Sequence, residues 1–233
     1  MPSFNQRSYK KELLDGDTIS FADIKQNMRE LDSINHLLGG HQITLDGIKT
    51  LIKECNEQKV WRIVEIGCGG GDNLRVIKNW AAKKNLAIEL TGIDINEECI
   101  AYAKSLSANA GIYFICSDYR NVGFVKKPHI IFSSLFCHHF TDEALVYMLR
   151  WLQQNSLTGF FINDLHRHPI AYYSIKLFTR LFSKSYLVKN DAPLSVQRSF
   201  KRKDLERLFL AAGISNFSIE WKWAFRWLVT CYT

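Results

Sequence analysis

The chain has 233 residues, of which 47% are apolar and 23% are charged, an ordinary balance for a globular protein. This length is enough for one α/β domain or for two small domains. No stretch reaches roughly 18 uncharged apolar residues, and residues 1–17 lack the apolar centre of a signal peptide, so we expect neither a transmembrane helix nor a secretory leader.

The N-terminal part, residues 1–58, is predicted to form a helical cap that belongs to the same domain as the rest of the chain. Apolar residues recur at helical spacing over residues 24–38, and the pair Gly39-Gly40 is a typical helix stop. A second amphipathic helix is predicted over residues 44–55.

From residue 59 to residue 233 the pattern changes to short apolar strands that alternate with helices. Such alternation implies parallel βαβ units and a doubly wound sheet. The predicted strands are 61–66, 88–94, 112–117, 129–134 and 157–164, and the predicted helices are 72–83, 96–108, 142–154, 169–183 and 203–212. Two adjacent antiparallel strands are predicted within 215–233. We therefore predict an α/β fold with one seven-stranded, mostly parallel sheet and an antiparallel C-terminal edge strand.

The six cysteines form no CxxC pair, and most of them lie in apolar runs. This distribution indicates reduced, buried thiols in a cytoplasmic protein and neither disulfides nor a zinc site.

The net charge of +7 has a local component, because Lys176, Arg180, Lys184 and Lys189 follow one another with no acid between them. Such a run indicates a solvated basic face. An anionic substrate, an anionic membrane surface and RNA are the alternatives.

The stretch VEIGCGGGDNL, residues 64–74, places a glycine-rich loop between a strand and a helix. This arrangement brings a ligand to a helix N-terminus. A dinucleotide motif needs glycine at the sixth position from Gly67, where this chain has Asp72. Glu65 opens the loop, and its carboxylate would repel a phosphate but attract an amino group. The motif therefore favours a zwitterionic ligand without phosphate.

At these positions the sequence resembles the class I S-adenosylmethionine-dependent methyltransferases, in particular bacterial small-molecule enzymes of quinone or polyketide type. The resemblance implies S-adenosylmethionine as the cofactor. The residues that match the family's first motif, which wraps the methionine part of the cofactor, are Glu65, Gly67, Gly69 and Gly71. Cys68 lies in the same loop as a small packing residue.

The resemblance also assigns cofactor contacts at the ends of the next three strands. Asp94, followed by Ile95, corresponds to the acid that holds both ribose hydroxyls, and a carboxylate can accept two such hydrogen bonds. Asp118, followed by Tyr119, matches the residue near the adenine amino group, and Ser133 lies beside the reacting sulfonium. Alternatively, Asp94 is only a helix N-cap and Asp118 is only a turn residue.

The segment Cys-His-His-Phe, residues 137–140, resembles the His-His segment of methyltransferases in quinone and polyketide biosynthesis. A phenol has a pKa of about 10, so His138 or His139 could assist transfer by taking its proton. The alternative is that one histidine caps the following helix or packs against the cofactor.

A second polar cluster follows the fifth strand, within residues 163–173. Arg167 could hold a phenolate or a carboxylate. The alternative is a structural turn in which Arg167 pairs with Asp164. No convincing acidic set surrounds Asp164, so we expect no metal ion.

The sequence thus predicts a methyltransferase that acts on a small aromatic, phenolic or lipid-tailed acceptor, with O-methylation favoured over C-methylation. The absence of an Asn/Asp-Pro-Pro motif after the fourth strand argues against DNA as a substrate. An RNA or protein methyltransferase, and an inactive cofactor-binding partner subunit, are the rival hypotheses.

Overall fold

Seven strands form one sheet in the computed structural model, which describes residues 3–16, 19–53 and 60–233. The strands are β1 (Trp61–Ile66), β2 (Ile88–Asp94), β3 (Ile112–Cys116), β4 (Ile130–Ser134), β5 (Gly159–Leu165), β6 (Phe217–Lys222) and β7 (Arg226–Tyr232). Their order is β3-β2-β1-β4-β5-β7-β6. Strands β1 to β5 pair in parallel, and β7 is antiparallel to both β5 and β6. The predicted mostly parallel sheet with an antiparallel C-terminal strand is confirmed, and β6 takes the outer edge.

Eight α-helices surround this sheet in the described part of the chain. They are α1 (Phe21–Leu37), α2 (Gly40–Lys53), α3 (Asp72–Lys83), α4 (Glu97–Ser105), α5 (Asp142–Asn155), α6 (Pro169–Phe182), α7 (Tyr186–Arg198) and α8 (Arg202–Ala211). None of the described helices is long and apolar enough to cross a membrane.

Two helix boundaries differ from the prediction. Helix α2 begins at Gly40, because Gly39 alone makes the turn with a φ of +75°. The predicted end of this helix at Cys55 lies outside the described residues. Helix α4 ends at Ser105, and a short 3-10 turn over residues 107–109 follows it.

The sequence predicts a loop between the helices at 169–183 and 203–212, whereas the structure has helix α7 there, although its interior Pro193 removes a backbone donor. The helix forms because Ser185 caps its N-terminus, accepting a hydrogen bond from the N–H of Val188 at 3.3 Å. It also contacts α1, α6 and the turn at residues 13–15. Tertiary contacts therefore outweigh the weak local preference.

Both faces of the sheet are buried, as alternation along β5 illustrates. Phe160 points to the side of α5 and α8, where its ring stacks on Phe209 at a centroid distance of 6.0 Å. Phe161 points to the side of α2 and stacks on Phe132 at 4.9 Å. Burying each such ring contributes about 1.5–3 kcal/mol. The core thus fixes the strand register and, with it, the positions of residues at the strand ends.

The carboxyl ends of β1, β2, β4 and β5 meet at one edge of the sheet, because these strands run in parallel. Helices α1, α6 and α7 and the segment around residues 9–16 lie over this edge. The division into a cap of residues 1–58 and a cofactor-binding part of residues 59–233 stays a prediction.

Candidate active site

A cavity of about 980 Å³ lies at the carboxyl edge of the sheet. Its walls come from the glycine loop, residues 134–141, β7, α1, α6, α7 and the segment at residues 9–16. Pockets for small ligands typically measure about 300–1,000 Å³. The cavity is therefore large enough for two small molecules side by side.

The glycine loop needs its glycines for two separate reasons. Gly67 and Gly71 have φ values of +68° and +73°, a region that other residues rarely adopt. A Cβ atom on Gly67 would also overlap the Phe136 ring, and one on Gly71 would come within 2.7 Å of Phe114. The sharp turn lets Gly67, Cys68 and Gly69 line the cavity with little more than backbone.

Asp94 faces the cavity from the end of β2, together with Ile95 and Asn96. Its two carboxylate oxygens accept hydrogen bonds from the N–H groups of Gly69 at 2.8 Å and Asn96 at 2.9 Å. Burial raises the pKa of Asp94, against the effect of these donors. Each oxygen keeps lone pairs for a ligand. The helix N-cap role falls to Asn96, whose side chain accepts from Cys99.

Glu65 is fully buried beside the cavity, at 1% exposure. Asn73 donates a hydrogen bond to its Oε1 at 2.8 Å, whereas Oε2 has no hydrogen-bond partner among the described atoms. Burial raises the pKa of Glu65 well above its usual value, and the charges of Asp72 and Asp94 add to the rise. A buried carboxyl with one free oxygen beside a cavity suits a cationic ligand group.

His138 is buried at the cavity wall and is held by Asp164 at the end of β5. The His138 Nδ1 lies 2.8 Å from one carboxylate oxygen, and its backbone N–H donates to the other at 3.2 Å. Burial alone would raise the pKa of Asp164, but the neighbouring His138 reverses the effect and lowers it. This arrangement resembles the carboxylate that fixes a catalytic histidine in other enzymes.

Glu12 completes this group from the N-terminal segment. Its carboxylate oxygens lie 3.6 Å from the His138 Nε2 and 3.8 Å from the His139 Nε2. His139 Nδ1 in turn lies 3.0 Å from Asp15. Burial raises the pKa of Glu12 to about 7, although His139 lowers it and a 2.8 Å hydrogen bond from Ser195 does the same. Glu12 and Asp15 lie in no catalytic motif of the sequence, so neither residue was predicted to belong to the site.

Two groups of described residues could offer three ligand atoms to a metal ion, each group within 4.8 Å. One is Glu12, His138 and His139, and the other is Asp32, His41 and Asp72. In the first group, Arg198 Nε lies 3.8 Å from Glu12 and already supplies positive charge. That the protein uses no metal stays a prediction.

Arg167 does not reach the cavity, in contrast to its predicted role. The side chain is 1% exposed, and its guanidinium donates to the carbonyls of Phe4 and Ser199 and to the Asp204 carboxylate. The alternative pair with Asp164 is not formed either, because each of the two has another partner. Arg167 thus ties the N-terminal segment to the start of α8.

Arg226, which the sequence analysis missed, does line the cavity. Its Nη2 donates to Asn35 at 2.7 Å, while Nη1 has no hydrogen-bond partner among the described atoms. Burial lowers the pKa of Arg226 to about 10. The sequence did not mark Arg226 as a site residue, because it lies in an apolar strand. The alternation of side chains along a strand predicts only the face of the sheet on which a residue lies.

Four predicted cofactor residues lie outside the cavity lining, and Gly71 in the glycine loop is one of them. Asp118 forms an ion pair with Arg120, which lowers the pKa of its carboxyl. Tyr119 packs its ring against Trp151 at 5.1 Å in the core. Ser133 is buried with its Oγ 3.3 Å from the Cys137 thiol. The predicted contacts of these residues with a cofactor stay predictions.

Comparisons with known proteins agree with this geometry. Residues 63–155 match a family model described as a methyltransferase domain. Among curated proteins, none matches the chain.

Solved structures show the same fold at low sequence identity. Plantazolicin methyltransferase BpumL in complex with SAH is 23% identical, with a TM-score of 0.60, and the match covers 86% of this chain and 72% of that one. Human N-acetylserotonin methyltransferase with SAM is 16% identical, with a TM-score of 0.64 and coverage of 92% and 56%. Magnesium protoporphyrin IX methyltransferase from Synechocystis PCC 6803 with bound SAH is 13% identical, with a TM-score of 0.54 and coverage of 93% and 89%. Residues 63–155 thus form a methyltransferase domain, and the chain shares the fold of methyltransferases that were solved with SAM or SAH bound.

Proposed function

We propose that the protein transfers the methyl group of S-adenosylmethionine to an oxygen of a small aromatic, phenolic or lipid-tailed acceptor. The observation that carries the proposal is one cavity that is lined by Asp94 and Glu65 and also by His138, which Asp164 holds from outside the lining. Because the sheet order is β2-β1-β4-β5, these groups follow one another along the same edge.

Glu65 and Asp94 fit S-adenosylmethionine, which supplies an electrophilic methyl group when bound. The free Oε2 of Glu65 suits the ammonium group of its methionine part, and the Asp94 carboxylate suits a vicinal diol. The loop at Gly67 and Gly69 offers a backbone surface to which a ligand can come close. A phosphate would be repelled by these two carboxylates.

The pair of His138 and Asp164 suits proton removal from a hydroxyl. Asp164 accepts the hydrogen bond of His138 Nδ1–H in the neutral tautomer, which leaves Nε2 as the proton acceptor. The proton of the acceptor hydroxyl moves to this nitrogen, and the buried Asp164 charge stabilises the resulting imidazolium. Such general base catalysis typically contributes about 10²–10⁴-fold to a rate.

The remaining wall favours an apolar acceptor. Side chains from α1 and α6 contribute hydrocarbon surface, among them Leu31, Ile34, Ile175 and Phe178. The proposal also states that methyl transfer goes to oxygen in preference to carbon, that the protein is cytoplasmic and that it acts in secondary metabolism. The five described cysteines are free thiols, which supports a reducing compartment.

Calorimetric titration with S-adenosylhomocysteine tests the cofactor half. We expect micromolar binding by the unmodified chain and a loss of about 10²–10³-fold in Asp94→Ala, since two charge-assisted hydrogen bonds are removed. Glu143→Ala removes an exposed carboxylate on α5 and should bind normally. Absence of binding by the unmodified chain would contradict the proposal.

Turnover on a panel of phenols tests the acceptor half. His138→Gln and Asp164→Asn should each lower kcat by about 10²–10⁴-fold while S-adenosylhomocysteine affinity stays unchanged. His139→Gln serves as the matched comparison, because this ring is held by Asp15 at the N-terminal segment. Cofactor binding without turnover on any phenol would instead favour an inactive partner subunit.

A further inference from the structure

Helix α6 presents an apolar stripe to solvent. Ile170, Tyr173, Leu177 and Leu181 are 57%, 53%, 60% and 65% exposed, and their spacing of three, four and four residues places them on one side of the helix. Phe182, at the end of the helix, is 70% exposed but lies on another side, with its ring 5.0 Å from that of Phe178. A contiguous patch of this kind marks an interaction surface, whereas single exposed apolar residues do not.

Basic side chains flank the stripe. Lys176, Arg180 and Lys184 are exposed and recur every four residues, and none of them forms an ion pair within the described part of the chain. No acid occurs in the sequence between Pro169 and Asn190. Glu30, which approaches from α1, is bonded to Ser183 and to the backbone at Lys184 and Ser185. The side chains of Lys176, Arg180 and Lys184 therefore have no acidic salt-bridge partner among the described residues.

The opposite side of the same helix belongs to the cavity. Ala171, Ser174, Ile175 and Phe178 line it. Trp223, which also lines the cavity, is 69% exposed at the neighbouring β6–β7 turn. Tryptophan is a preferred side chain at membrane–water interfaces.

We propose that α6 docks the protein onto an anionic membrane surface. An interfacial helix combines an apolar face, which enters the acyl boundary, with lysine and arginine that contact anionic headgroups, and α6 has both features. Charge complementarity favours an anionic membrane over a second copy of the chain as the binding partner of this surface. Two copies would bring their unpaired lysines and arginines close together, and these like charges would repel. The docking is independent of the proposed reaction and can be tested without an acceptor.

Co-sedimentation with lipid vesicles tests the docking. The full chain is mixed with vesicles of phosphatidylcholine containing 30% phosphatidylglycerol and, separately, with vesicles of phosphatidylcholine alone. We expect binding to the anionic vesicles that weakens as salt is added, and little binding to the neutral ones. The triple variant Lys176→Gln/Arg180→Gln/Lys184→Gln should bind the anionic vesicles on the order of a hundredfold more weakly.

Two further variants separate a specific surface from general charge. Lys83→Gln/Lys84→Gln/Lys104→Gln removes the same charge from exposed positions at the end of α3 and on α4 and should bind as the unmodified chain does. Leu177→Ser/Leu181→Ser keeps the charge but should also lose vesicle binding. Thermal melting and S-adenosylhomocysteine titration verify that each variant is folded.

Three results would overturn the proposal. The first is no binding of the unmodified chain to anionic vesicles. The second is an equal loss in both triple variants, which would make the attraction a property of net charge. The third is a dimer in solution that dissociates in Leu177→Ser/Leu181→Ser, which would show that a second copy covers this face.

Discussion

Replacing Glu12 by glutamine should make the protein more stable at alkaline pH, although it removes a group that lies beside two histidines. Glu12 is 5% exposed, and burial raises the pKa of its carboxyl from 4.5 to about 7. Glutamine resembles the protonated carboxyl in size and can still accept the hydrogen bond from Ser195. The variant therefore isolates the cost of ionising this buried position.

The sign of the pH dependence follows from proton binding. Between pH 4.5 and 7 the folded chain keeps a proton on Glu12 that the unfolded chain releases, so the free energy of unfolding falls as pH rises. At 1.36 kcal/mol per pKa unit, the loss reaches about 3 kcal/mol above pH 7. Below pH 4.5 both states are protonated, and the contribution vanishes.

Urea unfolding of Glu12→Gln and of the unmodified chain, at pH values from 4.5 to 8.5, measures this contribution. The difference in unfolding free energy should be near zero at the acid end and about 3 kcal/mol in favour of the variant at the alkaline end. Glu89→Gln, at an exposed position on β2, should show no such trend. A difference that is constant with pH, or that favours the unmodified chain at pH 8, would refute the reasoning.

Two further substitutions test the loop and the core by urea unfolding. Gly67→Ala and Gly111→Ala both place an alanine at a positive φ, which costs about 1–2 kcal/mol of stability. Only the new Cβ at position 67 overlaps a ring, that of Phe136, so Gly67→Ala should destabilise the protein by at least about 1 kcal/mol more. Equal losses of stability would argue against the close approach. Phe161→Ala should cost about 3–5 kcal/mol, because the side chain is fully buried, whereas Tyr147→Ala on the exposed face of α5 should cost about 0.5 kcal/mol; similar losses at both sites would contradict the described core.

Most of the fold could be predicted from the sequence because its signals are local. Apolar runs bounded by glycine marked β1 and β2, and helical periodicity marked α1 and α3. Helix α7 was missed, since its interior Pro193 is a helix-breaking signal and its stabilising contacts come from distant elements. Local preference cannot report on such contacts.

The residues of the proposed cofactor side could be brought together from the sequence for the same reason. Glu65, Gly67 and Gly69 lie within five positions, and Asp94 ends the next strand, so a short motif brings them together. For Asp118 the cofactor contact stays a prediction, because a turn acid after a strand has the same sequence pattern whether or not it contacts a ligand, and in the structure it pairs with Arg120.

The other walls of the cavity depend on residues that only the folded chain brings together. Asp15 and His139 are separated by 124 positions, and Arg226 and Asn35 by 191. No spacing rule connects such positions. Arg167 showed the converse error, since a polar cluster at a strand end was read as a ligand group although it has buried partners of its own.

The boundary of the family match has a consequence for specificity. The matched residues 63–155 include Glu65, Asp94 and His138 but exclude Asp164, which holds the histidine. They also exclude Glu12 and all of α1, α6 and α7, which form the remaining cavity walls. In the proposed reaction, the matched residues hold the cofactor and contribute His138, and segments outside them contribute Asp164 and the helices around the acceptor. Exchanging those segments between relatives should therefore change which acceptor is methylated and leave S-adenosylhomocysteine affinity within about tenfold, since the carboxylates that suit the cofactor stay in place.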